Sequence, residues 1–174
     1  MKRVAVIGSE EKYWTPEQRT KVVKEIKDIF YNEYMKTLTY QFERKELDYD
    51  RIEYIIKRAF PEVAKNIILV SGGCPRGGVD IWAEIVADVL GIGKDIKRPD
   101  IQQWESTFAD FGDEPEHSSF RHLKGYKERN IEIAETCVVL YCIDPKWRGS
   151  KTGGQWTMRE AKRLNKETHL VEII

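Results

Sequence analysis

Between residues 71 and 80 the chain reads Ser71-Gly72-Gly73-Cys74-Pro75-Arg76-Gly77-Gly78-Val79-Asp80. Glycines admit φ > 0 and let a backbone approach a ligand closely. Free N–H groups at a helix start, with the helix dipole behind them, attract an anion. Ser71, Gly72, Gly73, Arg76, Gly77 and Gly78 are therefore candidates to cradle a phosphate or ribose-phosphate, the alternative being a plain tight turn. Asp80, beside the helix start, is placed to cap the helix or to accept from a ribose hydroxyl. Cys74 is a weaker candidate: a helix start lowers a thiol pKa, but the sequence places no base beside it.

Two further turns carry similar chemistry. Gly8-Ser9 follows the first apolar run, and the first strand-to-helix turn of an open α/β sheet commonly meets the ligand. Thr152, Gly153 and Gly154 close a second glycine-containing loop. Trp104, Trp147 and Trp156 lie near these loops and are candidates to stack on a base, whereas Trp82 and Val86 fall on a helical core stripe. Cys137 and Cys142 bracket an apolar run and read as core. His169 reads as structural, and His117 and His122 give no metal-ligand pattern, so no metal is expected.

These turns need a scaffold. Lys2–Ile7, Ile67–Ser71, a short run near Asp95–Arg98, Cys137–Cys142 and His169–Ile173 read as strands. Thr15-Pro16-Glu17-Gln18 is a capping-box helix start, followed by Val22, Val23, Ile26, Ile29 and Phe30 at helical spacing to about Leu38. A second helix is expected from about Asp50 to Phe60, before Pro61. Others are expected over Val79–Leu90, capped by Gly91, over Gly125–Ala134 and over Thr157–Leu164. The strand–helix alternation predicts an α/β, Rossmann-like fold with a mainly parallel sheet flanked by helices. Residues 32–49, rich in Tyr and Phe, read as a helical and aromatic insertion after the first strand. Residues 102–122 read as a loop long enough to be a lid.

Composition narrows the class. The 174 residues are 41% hydrophobic and 33% charged with zero net charge, as expected for one domain with its own core. No apolar run approaches the roughly 20 residues of a membrane helix. The absence of a leader and the three cysteines without framework spacing predict a cytoplasmic protein with no membrane partner. Residues 121–174 hold 11 basic and 7 acidic groups, which suits a small anion but is too weak a bias for nucleic acid.

Three separated segments together resemble one superfamily. Ser71-Gly72-Gly73 with Arg76-Gly77 and Val79-Asp80 resembles an S-G-G-A-R-G-[VAI]-D loop. Tyr126-x-x-Arg129-Asn130-x-x-Ile133-Ala134 resembles F-P-x-R-N-x-x-I-A, and Thr152-Gly153-Gly154-x-x-Thr157-x-x-x-Ala161 resembles S-G-[ST]-x-x-T-x-x-x-A. This is the pattern of the SLOG superfamily, which groups the DNA-processing protein A domain, the Lonely Guy phosphoribohydrolases and the YspA-like proteins. The resemblance runs from Arg3 to Ile173, apart from residues 32–49. It implies a Rossmann-like domain binding a nucleotide or nucleotide-derived small molecule at the strand C-terminal ends, as a sensor or carrier, with no further cofactor. It adds Arg129, Asn130 and Thr157 to the site, Arg129 as a bidentate phosphate partner, and suggests a homodimer.

The departures are informative. The first loop is two residues longer than the family form, through Cys74-Pro75. Aligned on the Lonely Guy motif P-G-G-x-G-T-x-x-E, Thr157 stands where the catalytic Glu belongs, and the nearest carboxylate is Glu160. The alternative function is N-glycosidic hydrolysis or transfer on nucleoside monophosphates, with Arg129 on the phosphate and Glu160 or Glu84 as the carboxylate. A DNA-binding recombination mediator is a third, less favoured reading.

Overall fold

A computed structural model describes residues 1–42, 64–74, 76–99, 115–149 and 152–174, the side chains of 37–42 and 115–124 excepted. Five strands are joined by helices: β1 (Lys2–Gly8), α1 (Pro16–Phe42), β2 (Ile67–Ser71), α2 (Val79–Leu90), β3 (Gly93–Ile96), α3 (Pro115–Thr136), β4 (Val139–Pro145), α4 (Gly153–Arg163) and β5 (Glu167–Ile173). The sheet order is β3-β2-β1-β4-β5, and every pairing is parallel. This is the α/β, Rossmann-like architecture expected.

Both faces of the sheet are covered, which is why its inner strands read as unbroken apolar runs. On one face α1 and α2 bury Val22, Ile26, Phe30, Val79, Ala83 and Val86 against Val4, Val6, Leu69 and Tyr141. Trp82 packs against this cluster, edge-on to Trp14 at 6.2 Å between ring centroids. On the other face α3 and α4 bury Ile133, Ala134, Met158 and Ala161 against Ala5, Ile7, Val70, Leu140 and the two core cysteines.

The local signals at the first helix hold. Thr15 N–H donates to Gln18 Oε1 at 3.2 Å, and Gln18 N–H donates back to Thr15 Oγ1 at 3.3 Å. Gly91 closes α2 in the left-handed conformation, φ 70°. Several boundaries differ from expectation. α1 runs on to Phe42, past the expected Leu38, so residues 32–42 of the helical, aromatic insertion continue α1, with Tyr34 buried in the core. β3 begins two residues earlier than predicted, because its register is set by pairing with β2, Ile68 opposite Gly93 and Ser71 opposite Ile96. α3 starts at Pro115, ten residues before Gly125, and proline suits that first helical position. α4 starts at Gly153. The second helix expected at 50–60, residues 43–49 of the insertion and most of the lid loop lie outside the described residues. Among the described residues no helix is long and apolar enough to cross a membrane.

Candidate functional site

The strand order reverses between β1 and β4: the chain leaves β1 toward β2 and leaves β4 toward β5. The loops beyond these two strand ends diverge, and a crevice opens where they part. A cavity of about 920 Å³ lies there. Gly8, Ser9, Glu10 and Tyr13 line it from the β1 loop, and Cys74 and Asp80 from beyond β2. Tyr126, Lys127, Arg129 and Asn130 face it from α3; Arg148, Thr152, Gly153, Gly154, Trp156, Thr157 and Arg159 face it from the β4 loop and α4.

The β1 and β4 sides are tied together by Asp144, only 1% exposed. Ser9 Oγ donates to its Oδ1 at 2.6 Å, and Thr152 Oγ1 and Gln155 Nε2 donate to its Oδ2 at 2.5 and 3.2 Å. The Cys142 thiol sits 3.4 Å from the same oxygen, and burial with the nearby Asp144 charge keeps that thiol far above its ordinary range. Thr152 also caps α4, accepting from Gln155 N–H at 3.1 Å. The amides of Gly153 and Gly154, first in the helix, have no intrahelical acceptor. Gly154 is needed for its size: a Cβ there would lie 2.8 Å from Cys142 Sγ and 3.3 Å from Gly8 Cα. On the rim, the Arg148 guanidinium stacks over the Tyr13 ring at 3.6 Å, and its Nη1 donates to Ser9 Oγ at 3.4 Å. Trp147 meets the same ring edge-on at 6.1 Å.

The third wall is built on Asp80 and Arg129, both buried. Arg129 Nη1 donates to the Gly72 carbonyl and lies 3.3 Å from Asp80 Oδ2. Burial pushes the Asp80 carboxyl above its usual range; the Arg129 charge and the Gly8 and Cys74 N–H groups pull it down without restoring it. Arg129 Nε is buried with no hydrogen-bond partner among the described residues. Tyr126 lies under Arg129 at 5.1 Å, and burial raises its hydroxyl pKa.

The candidates divide clearly. Gly8, Ser9, Asp80, Arg129, Asn130, Thr152, Gly153, Gly154 and Thr157 share the cavity wall. Ser71, Gly72, Gly73, Arg76, Gly77 and Gly78 do not. Their loop is occupied with internal bonds: Gly73 N–H donates to Ser71 Oγ at 3.1 Å and Gly77 N–H to the Cys74 carbonyl at 3.0 Å. Gly78, at φ 93°, lets Val79 N–H reach the Ser9 carbonyl at 3.3 Å, and a Cβ there would strike that carbonyl. Arg76 pairs with Glu10 at 3.3 Å. Burial raises the Cys74 thiol instead of activating it. The proposed carboxylates lie off the wall: Glu84 is buried, accepting from Ser71 Oγ at 2.6 Å, and Glu160 pairs with Arg163 at 3.1 Å. Trp156 lines the cavity, Trp147 is 67% exposed and Trp104 lies outside the described residues.

Sequence reasoning missed Asp144, Arg148, Tyr13 and Gln155. An acid closing a strand just before a loop and a Thr cap was the available signal for Asp144. Nothing in the spacing of Tyr13 and Arg148 brings them together. Among the described residues no group of three or more His, Cys, Asp or Glu is arranged to hold a metal. No family model, curated protein or solved structure matches the chain with significance.

Proposed function

We propose that the chain binds a nucleotide-derived small molecule in the β1/β4 crevice and acts as a sensor or carrier in the cytoplasm, in the manner of the SLOG proteins its motifs resemble. One observation carries this reading. A cavity of nucleotide size at the switch point is lined by Gly153 and Gly154, the first residues of α4, and by Ser9, with Tyr13, Tyr126 and Trp156 around it. Amides and dipole favour a phosphate; the rings suit a base. Cleavage of the N-glycosidic bond is the second reading, and the engagement of Glu84 and Glu160 elsewhere weakens it. A homodimer is carried only as part of the SLOG likeness.

Thermal unfolding with a panel of adenine nucleotides tests the reading, with free base assayed in the same samples. A ligand held at 100 times its Kd stabilises by about 2.7 kcal/mol, a rise of roughly 5–10 °C for a chain of this size. The expected result is a rise without base release. A flat response at millimolar nucleotide, with a cooperative transition, would sink the binding reading. Base release that survives in Glu84→Gln and Glu160→Gln would show turnover by other groups.

A further inference from the structure

Three arginines face the crevice, Arg129, Arg148 and Arg159, and their surroundings separate the first two. Arg129 has a carboxylate of its own: Nη1 serves the Gly72 carbonyl and lies beside the Asp80 carboxylate, while Nε is buried without a partner among the described residues. A buried cation with its own carboxylate gains less from a second anion. Arg148 has no acid within ion-pair distance among the described residues. Its Cζ lies over the Tyr13 ring, 3.6 Å from the centroid, and Nη1 donates to Ser9 Oγ at 3.4 Å. Its location is also informative: Ser9 is bonded to Asp144, and Asp144 to the Thr152 cap of α4. Both oxygens of Asp144 are taken up by these donors, so its charge is turned away from the cavity, whose wall it does not join.

We propose that Arg148, positioned by Tyr13, is an anion-binding cation of this site, gripping the ligand's phosphate together with the first amides of α4. Tyr13 acts through Arg148. Its ring holds the guanidinium by a cation–π contact, so less rotamer freedom is lost when the fork closes on phosphate oxygens. The ligand class is a phosphate ester or pyrophosphate, whose planar oxygen pairs fit that fork. The inference rests on the proposed reading of the cavity as an anion site.

Titration calorimetry with AMP and, separately, inorganic pyrophosphate tests it. Arg148→Ala is expected to weaken both by about tenfold or more, the loss of a charge-assisted contact. Arg148→Lys keeps the charge but not the fork, and should recover only part. Tyr13→Leu should weaken both several-fold, and Tyr13→Phe should restore them to within about twofold, because the ring does the positioning. A purely structural Tyr13 would show its loss in melting temperature, measured alongside, and not in affinity for pyrophosphate. Unchanged affinity in Arg148→Ala, or Tyr13→Phe as weak as Tyr13→Leu, overturns the assignment while leaving nucleotide binding intact. Failure of both probes to bind the wild-type chain overturns the assignment and the anion-site reading together.

Discussion

Of the buried carboxylates among the described residues, two at opposite ends of the sheet are shifted in opposite directions. Glu33, on α1 near the strand starts, is wholly buried. Lys2 and Lys36 pair with it at 2.5 and 2.7 Å, and Tyr141 Oη donates at 2.7 Å. Burial pushes its pKa up, but these donors outweigh burial and leave it below its ordinary value. Asp80, on α2 near the strand finishes, is also buried and has one cation, Arg129. There burial wins and the pKa rises. The first carboxylate is fully compensated and locks α1 to β1 and β4. The second is under-compensated, and it borders a cavity. Strongly perturbed groups of that kind gather where a protein keeps polar capacity for a ligand.

The contrast is sharpest if each acid loses its support. Arg129→Met leaves Asp80 buried without a cation, a situation that costs about 3–5 kcal/mol when the charge persists. Melting is expected to fall by roughly 10 °C at neutral pH. The deficit should narrow as pH is lowered, because Asp80 escapes by taking a proton. A loss independent of pH would mean that Arg129 stabilises only by packing. Glu33→Gln removes a charge but keeps the shape, and is expected to cost on the order of 2 kcal/mol at pH 7. The stabilising contribution of Glu33 is present above its ordinary value of 4.5 and is lost as pH falls through the lower folded value. The wild type should therefore lose stability in acid more steeply than Glu33→Gln. Parallel acid limbs in chemical denaturation would remove Glu33 from the charged network.

The same contrast explains what was legible in the sequence. Local chemistry was legible: the Thr15–Gln18 capping box, the Gly91 cap and the apolar runs of β1 and β2 all depend on neighbours a few residues away. The register of β3 was not, because Gly93 meets Ile68 only once the sheet exists. α4 was read as starting at Thr157, since Gly153-Gly154 resembles a loop; the Thr152 cap and the close approach of Gly154 to Gly8 are tertiary facts. In the site, the turns after β1 and before α4 were legible and the resemblance added Arg129, Asn130 and Thr157, which line the cavity, whereas the glycine pattern placed the anion in the 71–78 loop, whose amides are largely spent inside the turn. Asp144 sits in a strand whose seven residues are all buried. An acid is tolerated there only because Ser9, Thr152 and Gln155, from two other segments, saturate it.

The smallest expected effect bears most directly on the cavity-side acid. In Asp80→Asn the amide oxygen still accepts from the Gly8 and Cys74 N–H groups, while Arg129 loses its counter-charge. These changes oppose each other, so a net cost on the order of 1 kcal/mol at neutral pH is expected. The informative quantity is the slope. An acid with a raised folded pKa contributes stability that is complete below its unfolded value, near 3.8, and that is lost as pH rises through the folded value. Asp80 should thus make the wild type lose stability on going upward from mild acid, opposite in sign to Glu33, and Asp80→Asn should abolish that component. Urea denaturation of both chains across this range reads the difference. If Asp80→Asn instead steepened the loss at rising pH, Asp80 would be fully compensated like Glu33, and the distinction between the two ends of the sheet would fail.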